Sequence, residues 1–122
     1  MNNKILNGVM VMEIKESMDE LESVNLNPVN IEKISESKKL LGMTPKFKTM
    51  YLKLEEGKKL SSSSHNGYAS IFVYEGKINL KFETGEEFQL EKGSYLALDG
   101  SVKHSAVVEA PSKVVVHMCF EE

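Results

Sequence analysis

Turn-forming residues punctuate this chain at short intervals from residue 55 almost to its end, and that spacing leaves little room for anything but β-structure. Glu55-Glu56-Gly57-Lys58, Glu75-Gly76-Lys77, Thr84-Gly85-Glu86, Glu91-Lys92-Gly93, Asp99-Gly100-Ser101 and Ala110-Pro111-Ser112 each interrupt an apolar or alternating run. Turn signals at roughly 8–12-residue spacing specify an all-β sandwich or barrel. The runs between them support this. Ile78, Leu80 and Phe82 alternate with Lys77, Asn79, Lys81 and Glu83, the pattern of a strand with one face in a core. Residues 47–55 alternate as well, with Met50, Leu52 and Leu54 on one face and Phe47, Thr49 and Tyr51 on the other.

The remaining strands follow from the same reading. Residues 29–35 and 38–43 read as short strands, and 61–65 as the approach to a strand over 69–74. Glu75-Gly76-Lys77 reads as a tight hairpin turn. Phe88 and Leu90, residues 95–98, 104–109 and 114–120 complete the set. Upstream, residues 4–12 read as an extended arm. Ser17, with Glu20 three residues later, forms a capping box that opens a helix of about two turns. That helix ends before Pro28, which disfavours helix in the residue preceding it. The expected organisation is an arm and helix over 1–28 and a β-domain over 29–122.

Composition bounds the function. In 122 residues, 41% hydrophobic and 27% charged, there is material for one core. The net charge of −3 comes from interspersed Lys and Glu, and no basic stripe supports a nucleic-acid partner. The apolar run at residues 5–12 is too short to span a bilayer. Cys119 is the only cysteine, so a reducing compartment and a cytoplasmic location are expected.

The candidate chemistry lies in two glycine-led segments, Gly57–Gly76 and Gly93–His104, each of which delivers one histidine. Ser63 and His65 are two apart in an extended stretch and share a face. Two neutral imidazoles, His65 and His104, with a third ligand, suit a divalent transition metal. His117 is the remaining histidine. It shares a strand face with Val115 and Cys119, opposite Val114, Val116, Met118 and Phe120. It completes a three-histidine site if that face points inward, and is a core or interface histidine otherwise. The final strand is apolar on both faces, so the second face needs cover from the N-terminal segment or a second subunit. Tyr68, Phe72, Tyr74, Met50 and Tyr95 are candidate pocket liners.

The spacing of these residues resembles that of the cupin family over about residues 38–120. The first cupin motif runs Gly, five residues, His-x-His, three or four residues, Glu, six residues, Gly. Here Gly57, His65 and Gly76 match, while Ser63 stands for the first histidine and Ala69 for the glutamate. The second motif runs Gly, five residues, Pro-x-Gly, two residues, His, three residues, Asn. Gly93 and His104 match, while Asp99, Ser101 and Val108 stand for the proline, glycine and asparagine. The resemblance implies a double-stranded β-helix, the cupin jelly-roll barrel. Its site would place Ser63, His65, Tyr68, Phe72 and His104 about a small organic ligand in the barrel mouth. His65, His104 and His117 would be the ligands of any Fe, Zn, Ni or Mn ion. A metal-dependent dioxygenase or isomerase is the alternative reading, and a homodimer is the expected assembly.

Overall fold

The computed structural model describes residues 27–62 and 66–120. The expected N-terminal arm and helix, Ser63 and His65 lie outside the described residues. Contacts divide the chain into two units, and the fold described below belongs to the one made of Asn30–Gly42 and Lys46–Glu122.

Seven strands follow one another: β1 (Lys38–Met43), β2 (Phe47–Leu54), β3 (Lys59–Ser62), β4 (Gly67–Phe82), β5 (Glu87–Glu91), β6 (Tyr95–Asp99) and β7 (His104–Phe120). The long antiparallel pair β4–β7 is the spine. Beyond it the order runs β1-β2-β7-β4-β5, with β3 added to β7 and β6 to β4. The first half of β4 pairs with β6 and the end of β7, and the second half with β5 and the start of β7. The spine thus serves two leaves that enclose one core. That core is Leu54, Val73, Ile78, Leu80, Leu90, Ala106, Val108 and Val114, all buried.

Three sequence expectations change here. Residues 29–35 do not form a strand. A 3-10 turn occupies Ile31–Lys33, and the Asn30 side chain caps it by accepting a 2.9 Å hydrogen bond from Glu32 N–H. An Asn side chain that satisfies a nearby backbone donor favours a turn over an extended strand. Glu75-Gly76-Lys77 does not reverse the chain, because β4 continues through it. Nor does Ala110-Pro111-Ser112 divide the last strand, because β7 continues to Phe120. Both segments are bends in the spine, and they face each other.

The β4 bend is a bulge, with register shifts between Val73 and Ile78. Extra residues in one strand reverse the phase of its alternation. Ile71 and Val73 face the core before the bulge, and Ile78, Leu80 and Phe82 after it. β7 keeps its even-numbered residues inward throughout, through Ala106, Val108 and Val114. Gly76 has φ 99° at the bend, a conformation that costs little only without a Cβ. Ser112, 2% exposed, repairs the interrupted ladder opposite. Its Oγ accepts from Lys77 N–H at 3.0 Å and donates to the Ala110 carbonyl at 2.7 Å. Ser112→Ala leaves the Lys77 donor without that partner and should cost about 1–3 kcal/mol. Urea unfolding measures this, and an unchanged midpoint would remove the hydroxyl from the account of the bend.

Candidate functional site

The strand ends position His104. Asp99 closes β6 with a side-chain-capped turn: its Oδ1 accepts from Ser101 N–H at 2.9 Å and from Ser101 Oγ–H at 2.8 Å. Gly100 N–H donates to the Gly67 carbonyl at 2.8 Å, which ties the turn to the start of β4. The chain then enters β7 at His104, paired with Phe82 on one side and Ser62 on the other. Directly paired residues share a sheet face, so His104 shares the core face of Phe82. The two rings are 5.5 Å apart, centroid to centroid. His104 Nδ1–H donates to the Val102 carbonyl at 3.2 Å, so the neutral ring carries its lone pair on Nε2.

Two clefts open beside Phe82. The first, about 300 Å³, is lined by Phe82, Phe88, Leu96, Leu98 and Val102, with Thr84, Glu86 and Asp99 at its rim. Phe82 and Phe88 meet edge to face at 6.1 Å. The second, about 450 Å³, is lined by His104, Phe82, Lys81, Lys103, Ser61 and Ser105 among others. The Thr84 hydroxyl donates to the Glu86 carboxylate. This bond, with a smaller share from the Glu86 backbone N–H, holds the carboxyl below its ordinary pKa, so the first cleft keeps an anionic rim near neutral pH.

The residues expected around one site fall in two places. His104 faces the core end. His117, Tyr68 and Phe72 do not join it. His117 pairs with Thr49 and Ser70, between Val116 and the other even-numbered residues that turn inward. It therefore lies on the outer face, where Thr49 Oγ1 and its Nδ1 share a 2.6 Å hydrogen bond and Phe47 packs 5.0 Å from the ring. Tyr68 and Phe72 pair with Cys119 and Val115 on that same outer face. Tyr68 is 57% exposed, and the neighbouring Tyr95 65%. This is the face of the last strand for which cover was expected. Phe82, Leu98 and Val102 line the mouth without having been singled out. Phe82 was legible as the last inward residue of an alternating strand, and Leu98 as the neighbour of Ala69 only once the register was known.

No protein-family model matches the sequence, and comparison with curated proteins finds no match either. Solved structures do match. A cupin superfamily protein from Desulfitobacterium hafniense aligns at a TM-score of 0.69 and 12% identity, over 80% of this chain and 94% of that one. An RmlC-like cupin from Desulfovibrio desulfuricans aligns at 0.68 and 20% identity, over 78% and 97%. The chain has the cupin fold. KdgF from a Halomonas species also aligns, at 0.64 and 20% identity, over 77% of this chain and 92% of that one. At these identities the likeness concerns the fold, and the chemistry has to come from the site.

Among the described residues, no three His, Cys, Asp or Glu side chains cluster. Ala69, at the position of the motif glutamate, has no donor atom. Among the described residues, that leaves His104 as the imidazole on the core face at this end.

Proposed function

We propose that this protein is a stand-alone cupin-domain protein that binds a small organic molecule in the barrel mouth, with His65 and His104 as polar anchors. The observation that carries the reading is the cleft of about 300 Å³ walled by Phe82, Phe88 and Leu98, with His104 lining the second cleft on the other side of Phe82, its ring centroid 5.5 Å from that of Phe82. Ligand sites combine an apolar wall with a few placed polar groups, at volumes from about 300 Å³ upward. Ala69 adds space where a carboxylate side chain would otherwise project.

The test is ligand-observed NMR of the full chain against a set of small aromatic and aliphatic acids, amides and alcohols. Phe82→Ala removes the wall shared by the two clefts and should weaken every binder about tenfold or more, since burial of an aromatic ring contributes roughly 1.5–3 kcal/mol. Its thermal unfolding is followed in parallel. A parent protein that binds none of the set, or binders indifferent to Phe82→Ala, would defeat the reading. Elemental analysis of protein purified without chelators provides a second check. Near-stoichiometric metal, lost in a His65→Ala/His104→Ala variant, would replace this reading with a metal-dependent enzyme.

A further inference from the structure

We infer that the ligand of the first cleft is an organic cation, a protonated amine on an apolar body, with Glu86 and Asp99 holding its charge; this rests on the reading of that cleft as a small-molecule site. The two carboxylates reach the cleft from different turns. Glu86 comes from the turn between β4 and β5, and Asp99 from the end of β6, beside the turn into β7. Between them the walls are Phe82, Phe88, Leu96 and Leu98. No lysine, arginine or histidine is among the described residues that line this cleft. The formal charges they present to a guest are therefore all negative.

Each carboxylate is oriented by its own turn. The Thr84 hydroxyl donates to Glu86, and Ser101 donates to Asp99 Oδ1 from its backbone N–H and its hydroxyl. These donors are neutral, so they position the carboxylates and leave the charges in place. For Glu86 the bond from Thr84 also holds the carboxyl below its ordinary pKa, because a hydrogen bond donated to a carboxylate favours the ionised form.

The second cleft, across Phe82, differs. Lys81 and Lys103 share it with Glu83 and His104, so it presents charge of both signs. In the first cleft an anionic ligand meets repulsion that no described residue of the lining offsets. A neutral ligand leaves the carboxylates with water as their partner. An alkylammonium, charged at neutral pH as a lysine side chain is, gives them a charge-assisted hydrogen bond, while its hydrocarbon covers the phenyl rings. The walls require that hydrocarbon: a small hydrated cation gains nothing from Phe82, Phe88 and Leu98.

The experiment titrates 4-phenylbutylamine, 4-phenylbutanol and 4-phenylbutyrate calorimetrically into the full-length protein. The probes share one body and differ in charge. The amine should bind the parent about tenfold more tightly than the alcohol, as expected where a charge-assisted bond replaces a neutral one, and the carboxylate should bind more weakly than either. Glu86→Gln and Asp99→Asn keep an acceptor oxygen for Thr84 and Ser101 and remove the charge. Each should weaken the amine about threefold, the scale of an exposed ion pair, and the double variant should bind amine and alcohol alike. The preference should also shrink as salt is raised from about 50 mM to about 0.5 M, since rim charges are screened. Phe88 lines the first cleft and is not among the described residues lining the second, so Phe88→Ala should weaken all the probes by a similar factor. Thermal unfolding of each variant separates loss of binding from loss of fold. If the alcohol or the carboxylate binds the parent as tightly as the amine, or the double variant keeps the preference, the inference about charge is wrong and the small-molecule site stands. If none of the probes binds the parent, the inference is wrong as well, and the small-molecule reading falls with it only if the set of acids, amides and alcohols is also silent.

Discussion

Replacing Gly76 by valine should cost the fold about 3–5 kcal/mol, from left-handed backbone strain and from overpacking. A Cβ at this position would sit 2.2 Å from Ser112 Oγ, 2.5 Å from the Pro111 carbonyl oxygen and 2.6 Å from Ser112 Cα. Two of those three atoms are backbone, in the middle of the strand that carries three of the eight core residues, Ala106, Val108 and Val114, so they have nowhere to retreat. Domains of this size are stable by about 5–15 kcal/mol, so the loss is a large share of the total. It corresponds to a drop in melting temperature of roughly 10–25 °C. Gly57 is the internal control. It has φ 88°, and nothing lies within 4 Å of its virtual Cβ, so Gly57→Val carries the strain of about 1–2 kcal/mol without the clash. Removing the hydroxyl in Gly76→Val/Ser112→Ala should restore only part of the loss, since Pro111 O and Ser112 Cα remain. Equal melting temperatures for the two glycine variants would show that β4 and β7 do not meet at this bend.

Ile78→Ala should cost about 2–5 kcal/mol by loss of buried area and a residual cavity. Ile78 is 0% exposed, and it is the first inward residue after the bulge, paired with Val108 and Leu90. Phe88 lies on the same face two strand positions away but at the barrel end, 41% exposed. Phe88→Ala should cost about 1 kcal/mol, near the range of surface substitutions. Guanidinium unfolding with unchanged m-values measures both. If the two variants were equally destabilised, the phase reversal across the bulge would be in doubt, because that reversal is what sends Ile78 inward and leaves Phe88 at the mouth.

Much of this arrangement was legible. The alternation of Ile78, Leu80 and Phe82, the turn through Gly85 and the strands at residues 38–43 and 95–98 follow from turn chemistry and period-2 patterning. The two bends were misread as turns for a definable reason. Glu-Gly-Lys and Ala-Pro-Ser carry the same local signal whether the chain reverses or only kinks, since a positive-φ glycine serves a hairpin and a bulge equally well.

His117 marks where local information stops. Val114 through Phe120 is apolar at nearly every position, so alternation divides it into two faces without ranking them. By itself the sequence determined that the chain is built of strands, where most of them break, and which residues travel together on a face. Only the tertiary structure decided which face is the interior, and with it that His104 looks into the barrel while His117, Tyr68 and Phe72 look away. The physical reason is that a period of two fixes faces only up to an exchange of sides. A single bulge makes that exchange mid-strand, and the choice between the two phases is made by the area each buries against strands far away in the chain.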